Sequence, residues 1–173
     1  MTWTAPPIDH AFPARTDGER ESLQGWLDFH RKTLRWKCSG LTHEQLATRG
    51  VPPSGLSLLG LVRHMTDNER WWFRTNVRGE DVDGIFGPED NLTGDFDDVD
   101  SMPAREVLEV YAGECRDADA AVAGLPLDHR FTSRSSGREL DLRWVYLHMI
   151  EEYARHNGHA DLLRERVDGS VGH

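Results

Sequence analysis

An all-α fold, a four-helix bundle with long crossover loops, is predicted for this chain of 173 residues by three observations. Four segments repeat apolar residues at helical spacing, each is bounded by cap or breaker residues, and the 38% apolar content suits a single core. Two of the connections between these segments are long, and the interior of such a bundle is a recurring place to build a metal site from facing helices.

Residues 1–15 carry Pro6, Pro7 and Pro13 without apolar periodicity, which predicts an extended N-terminal arm ahead of one domain over 16–173. Thr16 and Glu19 form a capping-box pattern, and Leu23, Trp26, Leu27, Leu34 and Trp36 then recur at near-helical spacing up to Gly40. Thr42 with Gln45 marks a short capped turn that Gly50 and Pro52-Pro53 end. From Ser57, the positions Leu58, Leu61, Val62, Met65 and Trp72 predict a second helix to Val77, with Gly79 as its stop. The acidic, glycine-rich stretch from Gly79 to Asp100 exceeds an ordinary connection and reads as a functional loop or crossover.

Ser101, Pro103 and Glu106 mark the start of a third helix, which Val107, Leu108, Tyr111, Cys115 and Val122 carry to Gly124. Pro126 to Leu140 reads as a loop with room for a short extended pair at most. A last helix is predicted from Asp141 to Val167, with Trp144, Leu147, Ile150, Tyr153, Leu162 and Leu163 as its apolar positions.

Composition excludes several function classes. A net charge of −10 and a pI near 5.3 argue against a nucleic-acid partner, which is held by clustered Lys and Arg. No apolar run approaches the roughly 20 residues of a membrane span, and the N-terminus lacks the pattern of a secretory signal, so a cytoplasmic protein is expected. Cys38 and Cys115 stand alone, without the spacing of a disulfide framework or a cysteine metal cluster. Ser135 and Ser136 have no base nearby in sequence, and the acidic loop lacks the DxDxDG spacing of an EF-hand. Trp71 and Trp72 suit a core or interface better than a pocket wall, and an aromatic-rich helix surface leaves monomer and homodimer both open.

Nine histidines are many for this length, and four of the polar residues in HMIEEYARHNGHADLLRE fall on one face of the last helix. His148, Glu152 and His156 are spaced by four, and His159 follows three later. Residues four apart lie about 6 Å apart along the axis, whereas His148 and His156 are about 12 Å apart, too far to share one ion easily. Glu152 with His156, His148 with Glu152, and His156 with His159 therefore stand as rival pairs. A third ligand has to come from another helix, and His64, flanking the apolar stripe beside Leu61 and Met65, can face the interior. Three N and O ligands leave a position open for water or substrate, as in catalytic zinc sites, and equally suit nickel, iron or manganese. Each residue alone also fits an ordinary role: His64 as a half-buried boundary histidine, the HxxxExxxH row as a solvated face.

The segments LSLLGLVRHMTDNERWWF and YLHMIEEYARHNGHADLLRE together resemble the DinB/YfiT-like superfamily of helical metalloproteins, in particular the branch related to mycothiol-dependent maleylpyruvate isomerase. The likeness runs from about Glu19 to Arg166. It implies that one histidine on the second helix and an acid and a histidine four apart on the last one bind a divalent ion, zinc or a similar metal. Carried over by position, these are His64, Glu152 and His156, with RHNGH standing where many members have HHRGQ. Glu152 matches the mycothiol-type arrangement, where other branches more often have histidine.

The resemblance further implies a thiol-dependent transferase or isomerase whose partners are a low-molecular-weight thiol, mycothiol, and an electrophilic small molecule. A metal-coordinated thiol loses its proton, which supplies a nucleophile that the chain lacks. A metal-dependent hydrolase, with His148, His159 or Asp67 as general base, and a non-catalytic metal-binding bundle are the alternatives.

Overall fold

The computed structural model describes residues 2–13 and 18–172. Its long helices are α1 (Glu19–Cys38), α3 (Leu58–Glu69), α5 (Ala104–Val122) and α6 (Leu142–Asp168), and α2 (His43–Ala47) and α4 (Gly94–Asp97) are short. α1 packs along α6 and α3 along α5, and α3 also meets α6 and α1, which closes the bundle. Leu27, Leu34, Leu59, Met65, Val107, Tyr111, Val145, Met149 and Tyr153 fill the space between them. None of the described helices is long and apolar enough to cross a membrane.

Local chemistry explains most of the boundaries. The Thr42/Gln45 capping box forms in both directions, Ser57 caps α3 by accepting from the Gly60 N–H, and Asp141 caps α6 by accepting from Trp144. Gly79 and Gly169 end their helices in the left-handed conformation, with φ of 76° and 78°. Thr16, expected to cap α1, lies outside the described residues, and the N-cap position falls at Gly18. The third long helix begins at Ala104, after Pro103 at its N-cap. Ser101 instead closes a 3₁₀ turn, Val99–Ser101, where its hydroxyl accepts from Arg63.

Three features depart from the helical reading or refine it. The second half of the predicted second helix, Arg70–Arg78, winds as a π-helix. Its wider turn lets Arg70 and Arg74 both reach the buried Glu114 of α5 while Phe73 and Val77 still enter the core. The loop after Pro126 contains an antiparallel hairpin of β1 (Arg130–Thr132) and β2 (Glu139–Asp141), turned at Gly137 with φ of 66°. On α6 the buried stripe is Leu142, Val145, Tyr146, Met149, Tyr153, Asn157, Ala160 and Leu163, so Trp144, Leu147 and Leu162 stay exposed. The histidine row therefore flanks the core stripe and does not replace it.

Residues 2–13 have no regular secondary structure and lie against α1. Ala5 exchanges backbone hydrogen bonds with Gly40 and Leu41, and the His10 ring stacks on Phe29 and Trp36.

Candidate metal centre

His64 sits in the middle of α3, one position off the buried stripe that includes Leu61 and Met65. Glu152 and His156 sit one turn apart on the facing edge of α6. The helix crossing brings the three together: one ligand atom from each lies within 4.8 Å of the other two. The His64 and His156 rings are 4.8 Å apart between centroids, and His156 Nε2 is 3.4 Å from Glu152 Oε2. All three are partly buried, with a side-chain exposure of 28% for His64, 15% for Glu152 and 12% for His156.

Each imidazole has an outer partner. His64 Nδ1 donates to the buried Asp95 carboxylate at 2.8 Å, which leaves the Nε2 lone pair for another partner. The Asn68 amide, one turn along α3, donates to that lone pair at 3.0 Å. His156 and His159 meet through their Nδ1 atoms at 3.3 Å. Burial, and then the neighbouring charge of His64, push the His156 pKa down to about 4, so its ring is neutral at pH 7, the form that binds metals. Two imidazoles and a carboxylate, oriented by a second layer of hydrogen bonds, are a donor set that fits a divalent ion with a position left open.

The rival pairs are separated by what surrounds them. His159 contacts His156 ring to ring and stands outside the cluster that includes His64. His148 forms a second cluster with Glu151 and Glu152. Its ring is stacked on Trp144 at 4.8 Å and edge-on to Trp72 at 4.7 Å, and the Arg155 guanidinium already lies 2.8 Å from Glu151 and 3.6 Å from Glu152. The cation that this second group can hold is therefore supplied by the chain.

The acidic loop forms the rim of the centre. Asp67 receives the backbone N–H groups of Ile85, Phe86 and Gly87 at 2.7, 2.9 and 2.7 Å. Both of its oxygens are engaged in holding the loop. Arg63, one turn earlier on α3, donates to the carbonyls of Gly94 and Asp95 and lies over the Phe86 ring. Between loop and helix is a cavity of about 650 Å³ that reaches His64, Asn68 and Trp71, so Trp71 is a wall residue and not core.

A buried polar joint escaped the sequence reading. Glu69, fully buried, receives Arg31 Nε and Nη2 and the Tyr153 hydroxyl, each at 2.7 Å. A signal existed: Arg31 follows Leu27 by four residues and Glu69 follows Met65 by four, placing both charges on apolar stripes. The thiols are not alternatives to an external nucleophile, because Cys38 is buried with its pKa pushed up to about 12 and burial raises Cys115 as well.

No protein of curated function matches the chain. The family model described as mycothiol-S-transferase matches residues 22–169, a span that contains all four long helices except the first turn of α1, together with His64, Glu152 and His156. The chain therefore belongs to the mycothiol-S-transferase family, a family of DinB/YfiT-like helical metalloproteins.

Proposed function

We propose that this protein joins the sulfur of mycothiol to an electrophilic small molecule, with His64, Glu152 and His156 as ligands of a divalent ion, zinc by preference among zinc, nickel, iron and manganese. The observation that carries this reading is the convergence of the three donors beside a 650 Å³ cavity, in a chain whose family is named for mycothiol transfer. When bound, the ion would lower the pKa of a coordinated thiol enough for it to be a thiolate at neutral pH.

The chain's own residues supply placement. Asp95 fixes the tautomer and tilt of His64, and His159 does the same for His156. The loop anchored on Asp67 and Arg63 walls the cavity in which the electrophile would lie against Trp71. In the transfer, a sulfur–carbon bond forms and the bond to the leaving group breaks. The thiol proton passes to solvent.

Elemental analysis and a conjugation assay test this directly. The purified protein should carry about one divalent ion per chain, and conjugation of a generic electrophile to mycothiol should stop when a chelator removes it. His64→Ala, Glu152→Ala and His156→Ala should each lose the ion. Full occupancy in all three variants would refute the ligand assignment, and conjugation unaffected by chelator would refute the chemistry.

A further inference from the structure

The joint at Glu69 lies outside the metal centre yet is attached to both helices that build it. On α3, Glu69 comes five residues after His64, about 7.5 Å along the axis. On α6, Tyr153 directly follows Glu152 and precedes His156 by three. The Tyr153 hydroxyl gives its one proton to Glu69, so the Tyr111 hydroxyl of α5, 2.9 Å away, donates to the Tyr153 oxygen. Arg31 of α1 fills the other side of the carboxylate and reaches Asp28 and Asp119 with its remaining nitrogen. Three helices thus meet at one carboxylate, and α5 joins them through Tyr111.

We propose that Glu69 and Tyr153 are positioning residues for the metal triad, fixing the rotation and axial register of α6 against α3. This rests on reading His64, Glu152 and His156 as the ligands. A buried ion pair adds little net stability over apolar side chains of the same volume, but it tolerates only one arrangement. Sliding α6 by one residue would carry the Tyr153 hydroxyl about 1.5 Å along the axis and about 100° around it, breaking its bond to Glu69. Apolar contacts along Met149 and Ala160 impose no such directional condition, whereas a metal site needs its ligands held to about 0.5 Å.

Tyr153→Phe separates positioning from mere stability. Its control is Tyr146→Phe, which removes another α6 hydroxyl, bonded to Gln24 of α1 and with no link to α3. Zinc affinity is read by competition with a chromogenic chelator, and the melting temperature of the metal-free protein by circular dichroism. The two variants should melt at similar temperatures, but Tyr153→Phe should bind zinc at least about tenfold more weakly while Tyr146→Phe stays within about twofold of the parent. The triple variant Arg31→Met/Glu69→Leu/Tyr153→Phe should fold and share the weak zinc binding. Parental zinc affinity in Tyr153→Phe or in the triple variant overturns the proposal alone. A parent protein that takes up no zinc overturns the ligand assignment and the proposal with it.

Discussion

Asp67→Ala should open the acidic loop without unfolding the bundle. The carboxylate accepts three backbone N–H groups, from Ile85, Phe86 and Gly87, at a half-exposed edge where water competes. At about 1 kcal/mol per bond, below the usual worth of a charged acceptor because water competes here, the loss is about 3 kcal/mol. That corresponds to a factor of roughly 150 in the closed-to-open ratio of the loop. Amide hydrogen exchange reads this ratio at the donors themselves: protection at Phe86 and Gly87 should fall about a hundredfold, while α5 amides change little. Asp67→Asn, with one acceptor oxygen in place of two, should fall between. Protection at Phe86 and Gly87 within about threefold of the parent would refute the reasoning, because it would show that Arg63 and the burial of Phe86 hold the loop without Asp67.

Three further outcomes follow from the same geometry. Asp95→Ala removes the partner of His64 Nδ1 and should weaken zinc binding about 10- to 100-fold in a chelator competition, with the fold retained by far-ultraviolet circular dichroism. His156 titrates near 4 when folded and near 6.5 when unfolded, so the unfolded chain binds the extra proton between those values. Stability of the metal-free protein should therefore be unaffected by this group above about pH 6.5 and should fall towards pH 4. The loss is about 2 kcal/mol once solvent at the ring edge is allowed for, and denaturant titration of His156→Asn should lack it. Arg31→Met leaves Glu69 charged and buried, which should cost about 3–5 kcal/mol and lower the melting temperature by about 6–20 °C, and adding Glu69→Leu should recover most of it.

The bundle was legible because its signals are local. Ser57, Asp141 and Gly79 act on N–H and C=O groups within a turn of themselves, so a linear reading finds them. What it missed depends on partners far along the chain. The π-helix at Arg70–Arg78 serves an arginine pair that converges on Glu114, some 40 residues later. Leu147 and Leu162 look like core positions until the phase of α6 is known, and that phase is set by what α1 and α3 present to it.

The site divides along the same line. Spacing on α6 brought Glu152 and His156 within reach of one ion, but it gave His148 with Glu152 and His156 with His159 equal standing. What separates these pairs is tertiary: Arg155 and the Trp72–Trp144 pair enclose His148, His159 meets His156 ring to ring, and only the edge bearing Glu152 and His156 faces His64. Asp95 could not be found by spacing at all, since it reaches His64 from the short α4 within the acidic loop, 31 residues away. Its place depends on Arg63 and Asp67, which flank His64 on the same face of α3 and tie down the two ends of that loop. One turn and a half of α3 thus supplies the proposed ligand His64 and both anchors of the segment that orients it. Substitutions at Arg63 or Asp67 should accordingly lower metal affinity without touching a ligand, and a Asp67→Ala variant that loses loop protection but binds zinc as the parent does would disconnect the two.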